Sequence, residues 1–208
     1  MAESQEKHTV KTQWGSVIDD PPVARLLFND TRFALVWVAV RVLVGLAWLQ
    51  ASLGKLDNPA WMQTGEALRT FWERAVMMPE PPARPAIAFD WYRGFIQGML
   101  DAGVYTWFAK VVAIGEFLIG TALILGAFVG IAAFFGAFMN WNFVMAGAAS
   151  TNALLALGAI LLVLAWKTAG WYGLDRWLLP RLGTPWSPRP HVEPAPVGKD
   201  QERAPGVA

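Results

Sequence analysis

The chain has 208 residues, of which 55% are hydrophobic and only 16% are charged, and its net charge is +1. It contains no cysteine, and its two histidines, His8 and His191, lie near the ends. This composition excludes thiolate chemistry and Cys-ligated iron–sulfur clusters, argues against a haem or metal site in the core, and lacks the basic cluster expected for nucleic-acid binding.

One long stretch of the sequence is almost free of charge. Residues 111–166 contain a single charged residue, Glu116. Runs of about 20 apolar residues are what a lipid bilayer requires, whereas average soluble domains carry about 25% charged residues. The stretch therefore predicts an integral membrane protein, and the length predicts one domain.

Residues 1–32 form a polar segment of mixed charge, and the first predicted span follows at residues 33–53. Within the polar segment, residues 25–28 can form a short interfacial helix, and residues 29–31 supply a break and a cap. Arg41 is the one charge in the first span.

Residues 57–104 form a long connection with two amphipathic stretches around a proline-rich joint at residues 79–85. This pattern is typical of helices that lie in the membrane interface. The alternative is a soluble cap in which the amphipathic helices pack on each other. The apolar residues that recur at helical spacing are Trp61, Leu68, Phe71, Trp72, Ala75 and Val76, and then Trp91, Tyr92, Phe95, Ile96, Met99 and Leu100.

Three more spans are predicted, at residues 105–125, 131–146 and 153–171. The predicted fold is therefore all-α: an integral membrane four-helix bundle over residues 33–182, with amphipathic interfacial helices in the connection between spans 1 and 2. Residues 183–208 are rich in Pro, Arg, Glu and Gly and are predicted to be disordered.

The distribution of positive charge predicts the orientation. Four spans place both termini on one side, and the two terminal segments carry ten Lys and Arg residues against five in the connection. By the positive-inside rule, the termini are predicted to be cytoplasmic and the connection to face outward.

The strongest candidate site consists of Arg41 and Glu116. Counted from the predicted span ends, Arg41 lies about 12 Å and Glu116 about 16 Å into a hydrocarbon layer about 30 Å thick. Two opposite charges at matching depth in adjacent antiparallel spans are expected to pair, and intramembrane ionisable groups are functional candidates. A pair that only locks the helices is the alternative.

Other polar residues of the spans are candidate ligand contacts. Asn140 and Asn142 are two apart on a helix and therefore point to different faces, and Trp141 between them could stack on a flat ring. For the asparagines, bridging between helices is an equally open interpretation, and for Trp141 packing against lipid or in the core is the favoured one. Gln50 is a further cofactor-binding candidate, whereas Lys55 and Lys110 are expected to extend to the outer interface and could meet an anionic substrate.

At these residues the sequence resembles the DoxX family of small four-span membrane proteins, in its longer DoxD-like form. The resemblance covers about residues 33–178. The matching residues are Arg41, Gly45, Gly54-Lys55-Leu56, Gly115-Glu116, Gly120, Gly126, Asn140, Asn142-Phe143, Asn152 and Gly173-Leu174-Asp175-Arg176.

The resemblance implies a protein of the prokaryotic cytoplasmic membrane with a role in quinone-coupled oxidation of a sulfur compound such as thiosulfate. Because the chain has no cysteine, a membrane quinone is the natural cofactor, with no metal, haem or iron–sulfur cluster expected. In this hypothesis Arg41 and Glu116 are catalytic, and Gln50, Asn140, Trp141 or Asn142 bind the quinone or the substrate.

Two other functions remain open at this stage: a non-catalytic scaffold that docks a soluble redox enzyme to the lipid bilayer, and a small-molecule carrier. A second redox subunit or a homo-oligomer is compatible with the sequence, and nucleic acid is not an expected partner.

Overall fold

The computed structural model describes residues 20–182, together with the backbone of Val10–Lys11 and Val17–Ile18. Those two short segments pair as antiparallel strands β1 and β2. Every other regular element among the described residues is helical. The predicted disorder of residues 183–208 falls outside the described residues.

Ten α-helices follow one another along the described chain, with a 3₁₀ turn at Thr31–Phe33 between the first two. The predicted spans agree with α2, α6 and α7 to within about three residues, and α6 covers the predicted residues 105–125. The fourth predicted span, residues 153–171, is divided: α8 ends at Leu164 and the short helix α9 follows at Trp166–Ala169. The helices are α1 Pro22–Asn29, α2 Ala34–Leu56, α3 Pro59–Met62, α4 Glu66–Val76, α5 Asp90–Asp101, α6 Tyr105–Leu125, α7 Val129–Met145, α8 Asn152–Leu164, α9 Trp166–Ala169 and α10 Asp175–Arg181.

Helices α2, α6, α7 and α8 pack as an antiparallel bundle. Gly45 of α2 and Gly120 of α6 meet so closely that a Cβ on either residue would lie 2.9 Å from the other's carbonyl oxygen. Small residues at such a crossing let two helix backbones approach. We call the end of the bundle covered by α4 and α5 the cap end, and the end with α1, α9 and α10 the terminal end.

Two of the described helices are long and apolar enough to cross a membrane: α2 with its preceding turn, residues Thr31–Leu56, and α6. Helices α7 and α8 are equally apolar but shorter. All four present large hydrophobic side chains outward, among them Leu43, Leu118, Phe134 and Leu154, while Arg41 and Glu116 are buried.

The connection between α2 and α6 forms a packed cap. Leu68 and Trp72 of α4 bury against Tyr92 and Ile96 of α5 and against Ala109 of α6. The amphipathic helices therefore pack on each other and on the bundle, as in the cap alternative. Their depth relative to a membrane stays a prediction. The proline-rich joint was expected to be extended, but the chain makes a turn at residues 81–82, where the Ala83 amide donates to the Glu80 carbonyl.

The turn between α6 and α7 is tight. Gly126 ends α6 in the left-handed conformation with φ 68°, and Phe128 continues the turn with φ 49°. The amide of Ala127 donates to the carbonyl of Ala122, which is the pattern of a Schellman motif. The chain thus reverses within three residues and returns along α6.

Candidate functional site

Glu116 pairs with Lys55 and not with Arg41. Lys55 Nζ lies 2.6 Å from Glu116 Oε2, and the glutamate is 1% exposed. Lys55 also bonds the carbonyl of Ala51 and lies 5.2 Å from the centre of the Trp61 ring. The expectation that Lys55 extends to the outer interface was wrong, because its ammonium group turns inward to the buried carboxylate.

Arg41 bonds backbone carbonyl groups at the terminal end of α6. Its Nη1 lies 2.6 Å from the oxygens of both Leu123 and Ile124, and its Nη2 lies 2.9 Å from that of Tyr172. The last four carbonyls of a helix lack helical partners, and cations are favoured at this end of the helix dipole. Arg41 therefore caps α6, and the predicted Arg41–Glu116 pair does not form.

The depth estimate failed because it assumed that the predicted end of span 1 and the predicted start of span 2 lie at the same level. Helix α2 continues to Leu56, three residues past the predicted end of the span. Contact between Gly45 and Gly120 places Arg41 opposite residues 123–124, which are at least seven residues and about 10 Å along α6 from Glu116. Lys55 instead lies within reach of Glu116 from the cap end.

Asp175 of α10 caps the other side of the α6–α7 turn. Its carboxylate accepts hydrogen bonds from the amides of Phe128 and Val129, the latter at 2.9 Å. Burial raises the pKa of Asp175, and these two amides and Arg41 oppose that rise. Opposite charges from α2 and α10 therefore hold the two helix ends that meet at this turn.

A groove of about 680 Å³ runs between α6 and α7 beneath the cap. Helix α7 contributes lining residues from Ile131 to Phe143, and exposed side chains such as Val111, Leu118 and Phe135 lie along the groove. The walls are almost wholly aliphatic and aromatic. A groove of this size and character suits an apolar ligand with few polar contacts.

Tyr92 and Asn142 supply the polar groups at the cap end of the groove. The Tyr92 hydroxyl lies 3.1 Å from both the carbonyl oxygen and Oδ1 of Asn142. Asn142 Nδ2 donates to the Phe138 carbonyl at 2.8 Å, which leaves its second hydrogen available. Burial raises the pKa of Tyr92 above its ordinary value.

The other predicted site residues lie apart from one another, and most of them are outside the groove. Asn140 is fully buried on the opposite side of α7 from the groove, whereas Gln50 is exposed and Lys110 is half-buried. Trp141 is 48% exposed and packs on Phe138 and Tyr92 with ring centres 6.3 and 6.4 Å away. Asn142 is thus the only predicted site residue that lines the groove, although Trp141 contacts its wall.

Tyr92 and Asp175 were missed as candidates. Tyr92 was assigned to the apolar face of an amphipathic helix, and only its place opposite Asn142, fifty residues later, shows a second role. Asp175 lay in a segment that supported the family resemblance, but no partner for it could be read from the sequence.

Among the described residues, no group of three or more His, Asp or Glu side chains could hold a metal ion. No family model, curated protein or solved structure matches this chain.

Proposed function

We propose that the chain is a membrane protein whose groove between α6 and α7 binds a lipid-soluble quinone, and that it serves as the quinone-binding subunit of an oxidoreductase. The observation that carries the proposal is the apolar groove with Tyr92 and Asn142 at one end. The resemblance to the DoxX family points in the same direction.

The surface supports placement of all four bundle helices in a membrane. Large apolar side chains cover the outside of α2, α6, α7 and α8, whereas Arg41, Glu116 and Asn140 lie inside. In water this distribution would expose a large apolar area, which marks a membrane or protein interface. Helix α8 has only 13 residues, about 20 Å, and α9 extends it after one intervening residue.

The shape of the groove supports a long amphipathic ligand. The stretch of α7 that lines it is about 18 Å long, and the polar groups lie only at its cap end. A quinone ring would lie beside Tyr92 and Asn142, with its isoprenoid chain along α7. The free hydrogen of Asn142 can donate to a quinone oxygen, and the Tyr92 oxygen can accept from a quinol hydroxyl.

Thiosulfate as the electron donor is what the resemblance to the DoxX family implies, and the orientation predicted by the positive charges is compatible with it. With the cap outward, the ring lies near the outer surface, where a small anion such as thiosulfate is accessible. Two thiosulfate ions give up two electrons as they join through a sulfur–sulfur bond, and the quinone takes up the two electrons with two protons. A partner enzyme could deliver these electrons in place of thiosulfate.

Quinone binding to purified protein in lipid nanodiscs tests the proposal. We expect Asn142→Leu and Tyr92→Phe each to weaken ubiquinone or menaquinone binding about 2- to 10-fold, which is the loss of one hydrogen bond. Asn152→Leu is a matched control, because Asn152 Nδ2 also donates to the carbonyl four residues earlier but lies outside the groove.

Equal affinities in all four proteins would refute the role of Tyr92 and Asn142. Absence of quinone binding, together with co-purification of a stoichiometric redox enzyme, would support the scaffold function instead. Quinone reduction by thiosulfate in the same preparation tests the choice of electron donor.

A further inference from the structure

The side chains of Asn140 and Trp48 carry buried polar atoms that have no hydrogen-bond partner among the described residues. Asn140 is 0% exposed, and neither Nδ2 nor Oδ1 has a hydrogen-bond partner among the described residues. The indole Nε1 of Trp48, which is 2% exposed, also lacks one among them. Buried polar groups in proteins are nearly always hydrogen-bonded, so each of these groups indicates a ligand or water.

Helix geometry places the Trp48 indole N–H and the Asn140 amide next to each other, beside Gly136 of α7. A Cβ built on Gly136 would lie 3.3 Å from Trp48 Nε1, so the indole N–H lies against α7 at this glycine. Asn140 is four residues later and therefore stands on the same face, about 5–6 Å away. Its side chain leans toward the N-terminus of α7, which is the direction of Gly136 and of the indole.

This space is separate from the quinone groove. Ile119 Cγ2 lies 3.4 Å from the same Cβ position on Gly136, and Ile119 lines the groove on its other side. Asn140, Gly136 and Trp48 do not line the groove. The inference therefore does not depend on the proposed function.

We propose that Trp48 Nε1 and the Asn140 amide form a small binding site for an oxygen atom that bridges α2 and α7. The bridging oxygen accepts hydrogen bonds from the indole N–H and from Asn140 Nδ2, and donates its own hydrogen to Asn140 Oδ1. A buried water meets these requirements with two to four polar partners, and a small solute with a hydroxyl group offers the same chemistry.

Nuclear magnetic resonance of the full chain in detergent micelles tests occupancy directly. With ¹⁵N-labelled tryptophan, the signal that disappears in Trp48→Phe identifies the Trp48 indole N–H. We expect a cross-peak from this proton to a long-lived bound molecule, and a change in its chemical shift in Asn140→Leu. A cross-peak at the water frequency identifies water, and one at another frequency identifies a solute.

Thermal stability gives an independent measurement. Trp48→Phe and Asn140→Leu should each lower Tm by about 2–6 °C, and the double variant by less than the sum, because both changes remove the same bridge. Trp107→Phe is the control, because Trp107 is 55% exposed. A higher Tm in Asn140→Leu, or an indole signal without a bound partner, would overturn the proposal.

Filling the space tests the site without removing a polar group. Gly136→Ala places a methyl group 3.3 Å from Trp48 Nε1 and should lower Tm and abolish the cross-peak. Gly54→Ala, whose Cβ would meet nothing within 4 Å, should retain the cross-peak and should not lower Tm. An unchanged cross-peak in Gly136→Ala would also overturn the proposal.

Discussion

Lys55 Nζ lies 2.6 Å from Glu116 Oε2 and joins α2 to α6 across 61 residues of sequence. The carboxylate is 1% exposed, whereas the lysine side chain is 20% exposed and reaches the glutamate from the cap end. The cost of removing two charges from water offsets much of the attraction between them, so a buried ion pair contributes little net stability. Removing only one of the two residues is more costly, because the other charge is then left without a partner.

Single substitutions in this pair should therefore be more harmful than the double substitution. Lys55→Met and Glu116→Gln should each lower the free energy of unfolding by about 3–5 kcal/mol, and the double variant should recover most of that loss. Chemical unfolding in mixed micelles measures the three variants. Lys110→Met should be near neutral, because the Lys110 side chain makes no ion pair or hydrogen bond among the described residues. If the losses in free energy of unfolding caused by the two single substitutions simply added up in the double variant, the proposed interaction between Lys55 and Glu116 would be contradicted.

Replacing Arg41 should affect stability and leave quinone affinity unchanged. Arg41→Met leaves the carbonyls of Leu123, Ile124 and Tyr172 without their donor, and we expect a loss of about 3–5 kcal/mol. The exposed Arg74→Met should change stability by less than about 0.5 kcal/mol. Weaker quinone binding by the folded fraction of Arg41→Met would restore the catalytic role expected from the sequence.

The crossing of α2 and α6 should not tolerate a larger residue. A Cβ on Gly120 would lie 2.7 Å from the backbone nitrogen of Leu49, so Gly120→Ala requires the two helix backbones to separate. We expect a loss of about 1–3 kcal/mol, which is typical of overpacking. Gly54→Ala should instead be neutral or slightly stabilising because of its higher helix propensity. Equal unfolding midpoints for the two variants would contradict the close crossing.

Tyr92 should contribute to alkaline instability. Its folded-state pKa is raised above 10.0 by burial, so the unfolded chain loses this proton first as the pH rises. The stability linked to this proton is complete below pH 10.0 and is lost as the pH rises through the folded-state value. Tm of Tyr92→Phe should therefore fall less steeply above pH 10.0 than that of the parent protein. Tyr172→Phe is the control, because Tyr172 is 53% exposed.

The helices could be predicted from the sequence because hydrophobic runs and their periodicity are local properties. The bounds of α6, the non-helical joint and the amphipathic faces of α4 and α5 all depend on neighbours within a few turns. The left-handed Gly126 followed by a short reversal is also a local signal.

Pairing between helices could not be predicted in the same way, because it depends on register. The predicted register differs from the observed one by about seven residues, or about 10 Å along the helix, which is two turns. That error was enough to assign Glu116 to Arg41 and to leave Lys55 at the surface. The contact of Tyr92 with Asn142 depends on how the cap folds over the bundle, and no local pattern carries that information.

The turn between α6 and α7 also constrains the order of assembly during synthesis. The amides of Phe128 and Val129 are bonded by Asp175, which leaves the ribosome 46–47 residues later. The Tyr172 carbonyl that completes the set of Arg41 partners arrives at nearly the same moment. The hairpin of α6 and α7 is therefore synthesised before the groups that cap its turn, and α10, the last helix of the described chain, completes that capping.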